Sequence, residues 1–147
     1  MKTQDYILVV TVMLTLLFFF TGVEKIWYHP VFHIQLYKQP LAGWIKAALN
    51  WGLPISELAA VGFLVYPRTL RWGLWLSAAL LLAFTGYTAY AAMEPGGYPV
   101  CACGKLFSGL SWTVHIGVNA GFTALAMTAA ILHNRHLKQK SVYGRWA

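Results

Sequence analysis

A chain of 147 residues that is 59% hydrophobic and only 10% charged cannot wet the surface of a soluble domain, where about 25% of residues are charged. Its net charge of +7 sits in short polar segments and the tail, with no basic stripe interleaved with aromatics, which argues against a nucleic-acid partner. The composition predicts a single domain of the integral membrane, all-α class.

Taken in order, Tyr6 to Val23 gives eighteen residues without a formal charge, about the length that crosses a hydrocarbon core. A signal peptide headed by Lys2 is the rival reading. The run is long for a signal, and no convincing small-x-small cleavage site precedes Glu24, so an uncleaved first span over 6–23 is expected. Residues 24–43 are polar and aromatic, and Pro30 and Pro40 bracket a segment too short to span. Its Val31, Phe32, Ile34, Leu36 and Tyr37 predict a short amphipathic helix lying in the interface. His29 and His33 have helical spacing, but Pro30 between them weakens a metal pair there, and interfacial histidines are the better account.

The second span is expected over 44–66, kinked at Pro54, which removes a backbone donor. It carries Glu57, the one carboxylate in the middle of an apolar span, which must face the bundle interior or be protonated. Counted from the outer end, Glu57 lies about 21 Å deep at about 1.5 Å per residue. That depth separates it from the cysteines and suggests a proton-path group or a partner for a helix in the cytoplasmic half. After the basic turn Pro67-Arg68-Thr69-Leu70-Arg71, a third span is expected over 72–93. The breaker Glu94-Pro95-Gly96-Gly97-Tyr98-Pro99 follows. The fourth span is expected over 110–132, with a basic tail over 133–147 that frays or lies on the membrane surface.

Orientation follows from lysine and arginine. With four spans, Lys2, Arg68, Arg71, Arg135, Lys138, Lys140 and Arg145 share one side, against Lys25, Lys38, Lys46 and Lys105 on the other. The positive-inside rule puts both termini in the cytoplasm and the cysteines outside. In a bacterium that is the periplasmic face of the inner membrane, where disulfides persist.

Both cysteines lie in Pro99-Val100-Cys101-Ala102-Cys103-Gly104-Lys105. Residues so spaced can bring their Cα atoms within the usual disulfide range of about 4.4–6.8 Å. Closing so small a ring removes only about 1.6 kcal/mol of chain entropy, against about 3 kcal/mol for a fifteen-residue loop. Such a bridge is a poor staple and a reasonable redox group. Cys101 and Cys103 are the candidate catalytic pair. Two cysteines without turnover, or thiolates joining His115 in a zinc or copper site, are the alternatives.

Trp112, His115, Asn119 and Phe122 recur at three- and four-residue spacing and share one helical stripe. His115 can assist thiolate formation, and Asn119 can bond a quinone carbonyl or a neighbouring helix. Glu24, Lys25 and Thr21 fall near the same end of the first span. Trp112, Asn119, Glu24 and Lys25 are therefore the candidate cofactor contacts, and Pro54 and Glu57 are singled out beside them.

These residues carry a resemblance. Phe20-Thr21-Gly22-Val23-Glu24-Lys25, Gln39-Pro40-Leu41, Gly52-Leu53-Pro54-Ile55-Ser56-Glu57-Leu58, Cys101-Ala102-Cys103-Gly104 and Leu110-Ser111-Trp112-Thr113-Val114-His115 with Asn119 are similar, in order and spacing, to the MauE/DoxX-like family of redox-associated bacterial membrane proteins. The resemblance implies a four-helix bundle in the bacterial inner membrane. Its MauE branch is linked to processing of a disulfide-rich dehydrogenase beside a thioredoxin-like partner, and its DoxX-like branch to quinone-linked sulfur oxidation.

The sequence thus predicts a four-helix membrane bundle with a short interfacial helix between the first and second spans. The predicted function is thiol–disulfide exchange or electron relay through Cys101 and Cys103, with a thioredoxin-like partner and a quinone as candidate electron partners. A non-catalytic small subunit of a membrane complex and a heavy-metal carrier are the competing readings.

Overall fold

A computed structural model of the chain describes residues 2–93 and 111–143. These form α1 (Thr3–Trp27), α2 (His29–Tyr37), α3 (Gly43–Val65), α4 (Leu70–Met93) and α5 (Trp112–Tyr143), with no strand among the described residues. Four of the helices, all but α2, are long and apolar enough to cross a membrane. They close a ring in which α1 packs on α3 and α5, and α4 lies between α3 and α5, while α2 rests on α1 and α3. The protein is an integral membrane four-helix bundle with a short extra helix between its first two spans, as expected.

Threonines do not break these helices, because their hydroxyls donate to carbonyls one turn back. Thr11 donates to the Ile7 carbonyl at 2.7 Å and Thr15 to that of Thr11 at 2.8 Å; a polar group thus satisfied within its own helix is tolerable in lipid. The buried stripe of α1 runs Ile7, Val10, Leu14, Phe18, Thr21, Gly22 and Lys25, and it meets Ala60, Leu64, Leu74, Ala78, Leu81, Ala126 and Ala129 in one core. Small residues let helix backbones approach where no hydrophobic force drives association. At Gly73 the approach is closest: an added Cβ would stand 2.7 Å from the Leu64 nitrogen and 2.8 Å from the Phe63 carbonyl carbon. Large apolar side chains such as Leu8, Leu16, Phe20, Ile55 and Leu82 point outward, the reverse of a soluble domain and suited to lipid. Trp27, Trp44 and Trp72 are exposed near helix ends, where indoles favour the interface.

Three expectations change. The first span continues through Trp27, because Glu24 and Lys25 extend the helix instead of ending it. Pro30 occupies the first turn of α2, where its missing N–H costs nothing; His29 and His33 do share that helix. Pro54 lies buried inside α3, where the sequence places it in the second span. The tail is helical to Tyr143 instead of fraying, and the Gln4 amide meets His136 Nε2 at 3.2 Å, tying α5 to α1.

The α2 helix turns Phe32 and Leu36 inward onto Leu41, Leu49 and Leu53, leaving Val31 and Ile34 exposed. This packing has a consequence for depth. The first turns of α3 lie against α2, so that Glu57 comes level with the last turns of α1.

Candidate functional site

The buried stripe of α3 is Pro54, Glu57, Ala60 and Leu64, a helical spacing that aims Glu57 at α1. There the Lys25 ammonium donates to both carboxylate oxygens, at 2.8 and 3.0 Å, with side chains 2% and 1% exposed. Lys25 also donates to the Thr21 carbonyl at 3.4 Å. Gly22 makes room for this contact, since an added Cβ would stand 3.4 Å from the Glu57 Cβ and 3.1 Å from Leu58 Cδ2. Glu57 therefore belongs level with the last turns of α1, and Lys25 is a buried bundle residue. In a low-dielectric interior each charge is retained only because the other is there.

The α5 helix brings His115, Asn119 and Thr123 to the same half of the bundle, all buried. Asn119 shares with Thr21, Lys25, Glu57 and Phe84 a cavity of about 20 Å³. That is room for one water and no more. The Asn119 Nδ2 group is buried and has no hydrogen-bond partner among the described residues. Thr123 donates to the Asn119 carbonyl at 2.7 Å and its hydroxyl meets that of Thr85, on α4, at 3.2 Å. His115 is 2% exposed, one turn nearer the start of α5. Glu24 is half-buried in the turn that holds Lys25. Thus α1, α3, α4 and α5 each contribute polar side chains to one cluster.

The structure joins Lys25, Glu57 and Asn119, which the sequence singled out separately, and places Pro54 one turn from Glu57 on the same stripe. Phe122 is only partly buried, packed against the core. Cys101 and Cys103 lie outside the described residues, as does the side chain of Trp112. His29 stacks on Trp51 with ring centroids 4.3 Å apart, and His33 on Tyr37 at 4.2 Å, so each imidazole has an aromatic neighbour. Among the described residues, no group of three or more His, Cys, Asp or Glu is placed to hold a metal.

One feature of the structure has no counterpart in the sequence pattern. The Tyr87 hydroxyl donates to the Gln39 side-chain carbonyl, and the Gln39 amide donates to the Gln35 carbonyl at 3.2 Å. This pair edges an apolar cavity of about 300 Å³ between α2, α3 and α4, lined by Leu36, Leu49, Leu53, Leu80 and Phe84. Phe84 also lines the small polar cavity, so its side chain borders both. Gln39 between Lys38 and Pro40 carries no periodic signal. Tyr87 reads in sequence as one more interfacial aromatic.

A family model described as methylamine utilisation protein MauE matches residues 3–132. No curated protein and no solved structure matches the chain.

Proposed function

From the premise that this chain belongs to the MauE family, we propose that it is a membrane thiol–disulfide oxidoreductase or electron relay. Cys101 and Cys103 cycle between dithiol and disulfide with a thioredoxin-like partner. In the oxidising direction, one thiolate attacks a sulfur of the partner's disulfide and releases the first partner thiolate. The second cysteine then attacks the mixed disulfide and releases the other. This chain loses two electrons and two protons, and the partner disulfide gains them as two thiols. The reverse sequence runs through the same mixed disulfide.

The observation that carries the reading is the buried polar cluster on the helix that follows the cysteines. His115 and Asn119 are buried in the bundle, and Asn119 shares a cavity with a buried ion pair, in a protein whose remaining core is mostly aliphatic. Polar groups in a membrane interior are expensive and usually mark function. The proposed orientation places both termini in the cytoplasm of a bacterial inner membrane and the cysteines in the periplasm. Burial of Lys25 supports it, because this charge leaves the outer surface and the lysine and arginine asymmetry grows.

A membrane quinone, which supplies an acceptor for two electrons and two protons, is the proposed second electron partner. It does not fit at Asn119, where the cavity of about 20 Å³ excludes a ring and Lys25 is engaged by Glu57. The apolar cavity of about 300 Å³ reaches the size of small-ligand sites, about 300–1,000 Å³. There Leu36, Leu53 and Phe84 would hold the ring, with Gln39 and Tyr87 at its edge.

The test is the midpoint potential of the cysteine pair in purified protein, read by thiol labelling in defined thiol–disulfide buffers. A reversible two-electron transition between about −300 and −100 mV, abolished by Cys101→Ser or Cys103→Ser with assembly intact, is expected. A pair that never oxidises, or that labels only after chelation, overturns the proposal.

A further inference from the structure

The cavity of about 20 Å³ between the four spans has four polar side chains in its wall, those of Thr21, Lys25, Glu57 and Asn119. Their hydrogen bonds can be counted. The Lys25 ammonium donates to Glu57 Oε1 at 2.8 Å, to Glu57 Oε2 at 3.0 Å and to the Thr21 carbonyl at 3.4 Å, which uses all three of its donors. The Thr21 hydroxyl donates to the Leu17 carbonyl at 3.0 Å and keeps its capacity to accept. A carboxylate can accept about four hydrogen bonds, so each Glu57 oxygen has room for another beside the one from Lys25. Asn119, only 8% exposed, has the opposite need. Its Nδ2 is a buried donor with no acceptor among the described residues.

A donor on α5 thus faces spare acceptors on α1 and α3 across the cavity. The ligand that completes this arrangement must accept from one wall and donate to the other. It must also be neutral, because an anion would stand beside the Glu57 carboxylate and a cation beside the Lys25 ammonium. Size narrows the choice further. One water needs about 10–15 Å³ and makes about three hydrogen bonds to buried polar groups, whereas an organic molecule is too large. At this depth in a bundle surrounded by hydrocarbon, bulk solvent cannot answer Nδ2 instead.

We infer that this cavity binds one resident water, which accepts from Asn119 Nδ2 and donates to the Glu57 carboxylate and the Thr21 hydroxyl. The water ties α5 to the ion pair between α1 and α3. In the other half of the bundle direct side-chain contacts tie α5 to α1, Gln4 to His136 at 3.2 Å and Tyr6 to Thr128 at 2.6 Å. Here the tie runs through one exchangeable molecule, on the helix into which the cysteine-bearing segment leads. The site does not depend on the cysteine chemistry and stands or falls without it.

The test is NMR spectroscopy of the full-length protein in micelles, with nitrogen-15 in its asparagine side chains. The asparagines are Asn50, Asn119 and Asn134, so the Nδ2 resonances lost in Asn119→Leu are those of Asn119. If that variant does not fold, Asn50→Ser and Asn134→Ser assign them by elimination. The Asn119 Nδ2 protons are expected to show a dipolar cross-peak at the water frequency. Its sign is opposite in laboratory-frame and rotating-frame spectra, as for a water that tumbles with the protein. Thr21→Val keeps the shape of the wall and leaves Glu57 and Asn119 to hold the water, so the cross-peak persists; Thr21→Ala takes its place if the valine variant melts early. Absence of the cross-peak, equal sign in both spectra, which marks proton exchange, or its loss in the folded Thr21 variant, which marks relay through the threonine hydroxyl, would overturn the inference.

Discussion

Replacing Glu57 with Gln keeps the shape of the side chain and removes the charge that compensates Lys25. At the observed 2.8 Å, an effective dielectric constant of about 20 gives an attraction of about 6 kcal/mol. Desolvation of the two charges offsets much of that, so the intact pair contributes little net stability. Breaking it is another matter. A lysine left charged among Thr21, Phe84 and Asn119 must shed its proton or draw water into a cavity of about 20 Å³, and loss of one partner of a buried pair costs about 3–5 kcal/mol. The assay is reversible unfolding in mixed micelles, followed by tryptophan fluorescence, for Glu57→Gln, Lys25→Met and the combined Lys25→Met/Glu57→Leu. Each single variant is expected to lose about 3–5 kcal/mol, and the combined variant to return to within about 1–2 kcal/mol of the unmodified protein. Single variants of unchanged stability, or a combined loss equal to the sum of the two, would refute the ion-pair argument.

Three further outcomes follow from the packing. Gly73→Ala pushes a methyl group into the backbone at Phe63 and Leu64 and is expected to cost about 1–3 kcal/mol or more. Gly22→Ala meets only the movable end of Leu58 and a 3.4 Å contact with Glu57, so it should cost less; the same unfolding assay ranks them, and the reverse order would contradict the close approach of α3 and α4. Asn119→Leu removes a buried polar group without a partner among the described residues. It is expected to leave stability within about 1 kcal/mol of the parent or raise it, whereas Asn119→Ala, which enlarges the cavity, should lower it by about 1–3 kcal/mol. Under the relay reading, His115→Phe keeps the bundle assembled but slows iodoacetamide alkylation of the reduced cysteines at neutral pH by about tenfold, the effect of about one unit in thiol pKa. An unchanged alkylation rate would remove His115 from the thiol chemistry.

Much of this arrangement was legible in the chain. Apolar runs broken by Pro30, Pro40, Pro67 and the 94–99 breaker fix four spans and a short helix, because a membrane span has a minimum length and few tolerated charges. The position of Lys25 is legible too. It continues the stripe Leu14, Phe18, Thr21 at helical spacing, and that periodicity turns it inward although a lysine near a span end can also reach the surface. The level of Glu57 is not legible in the same way. A depth counted from the start of α3 takes all four helices to begin at one plane, but the first turns of α3 pack on α2. Only the tertiary contact sets the register of α3 against α1. The cavity beside Gln39 and Tyr87 was illegible for the same kind of reason, since it is a gap left by three helices and no single one encodes it.

The two halves of the bundle are built to different rules. Toward the termini the core is aliphatic and close: Ala60, Ala126, Ala129 and Ala130 are almost wholly inaccessible, and Gly73 lets α4 touch the backbone of α3. Interiors packed in this way have few alternative arrangements. Toward the end from which residues 94–111 join α4 to α5, the core instead holds Lys25, Glu57, Thr88, His115 and Asn119. Aliphatic residues would fill that space at lower cost, so stability does not explain these side chains. The proposed function at that end would, and the chain places its only two cysteines in the segment that leads into it. The close-packed half holds the four helices in register, and the polar half, which cannot choose its own register so firmly, inherits the alignment that brings Lys25 to Glu57 and Asn119 to both.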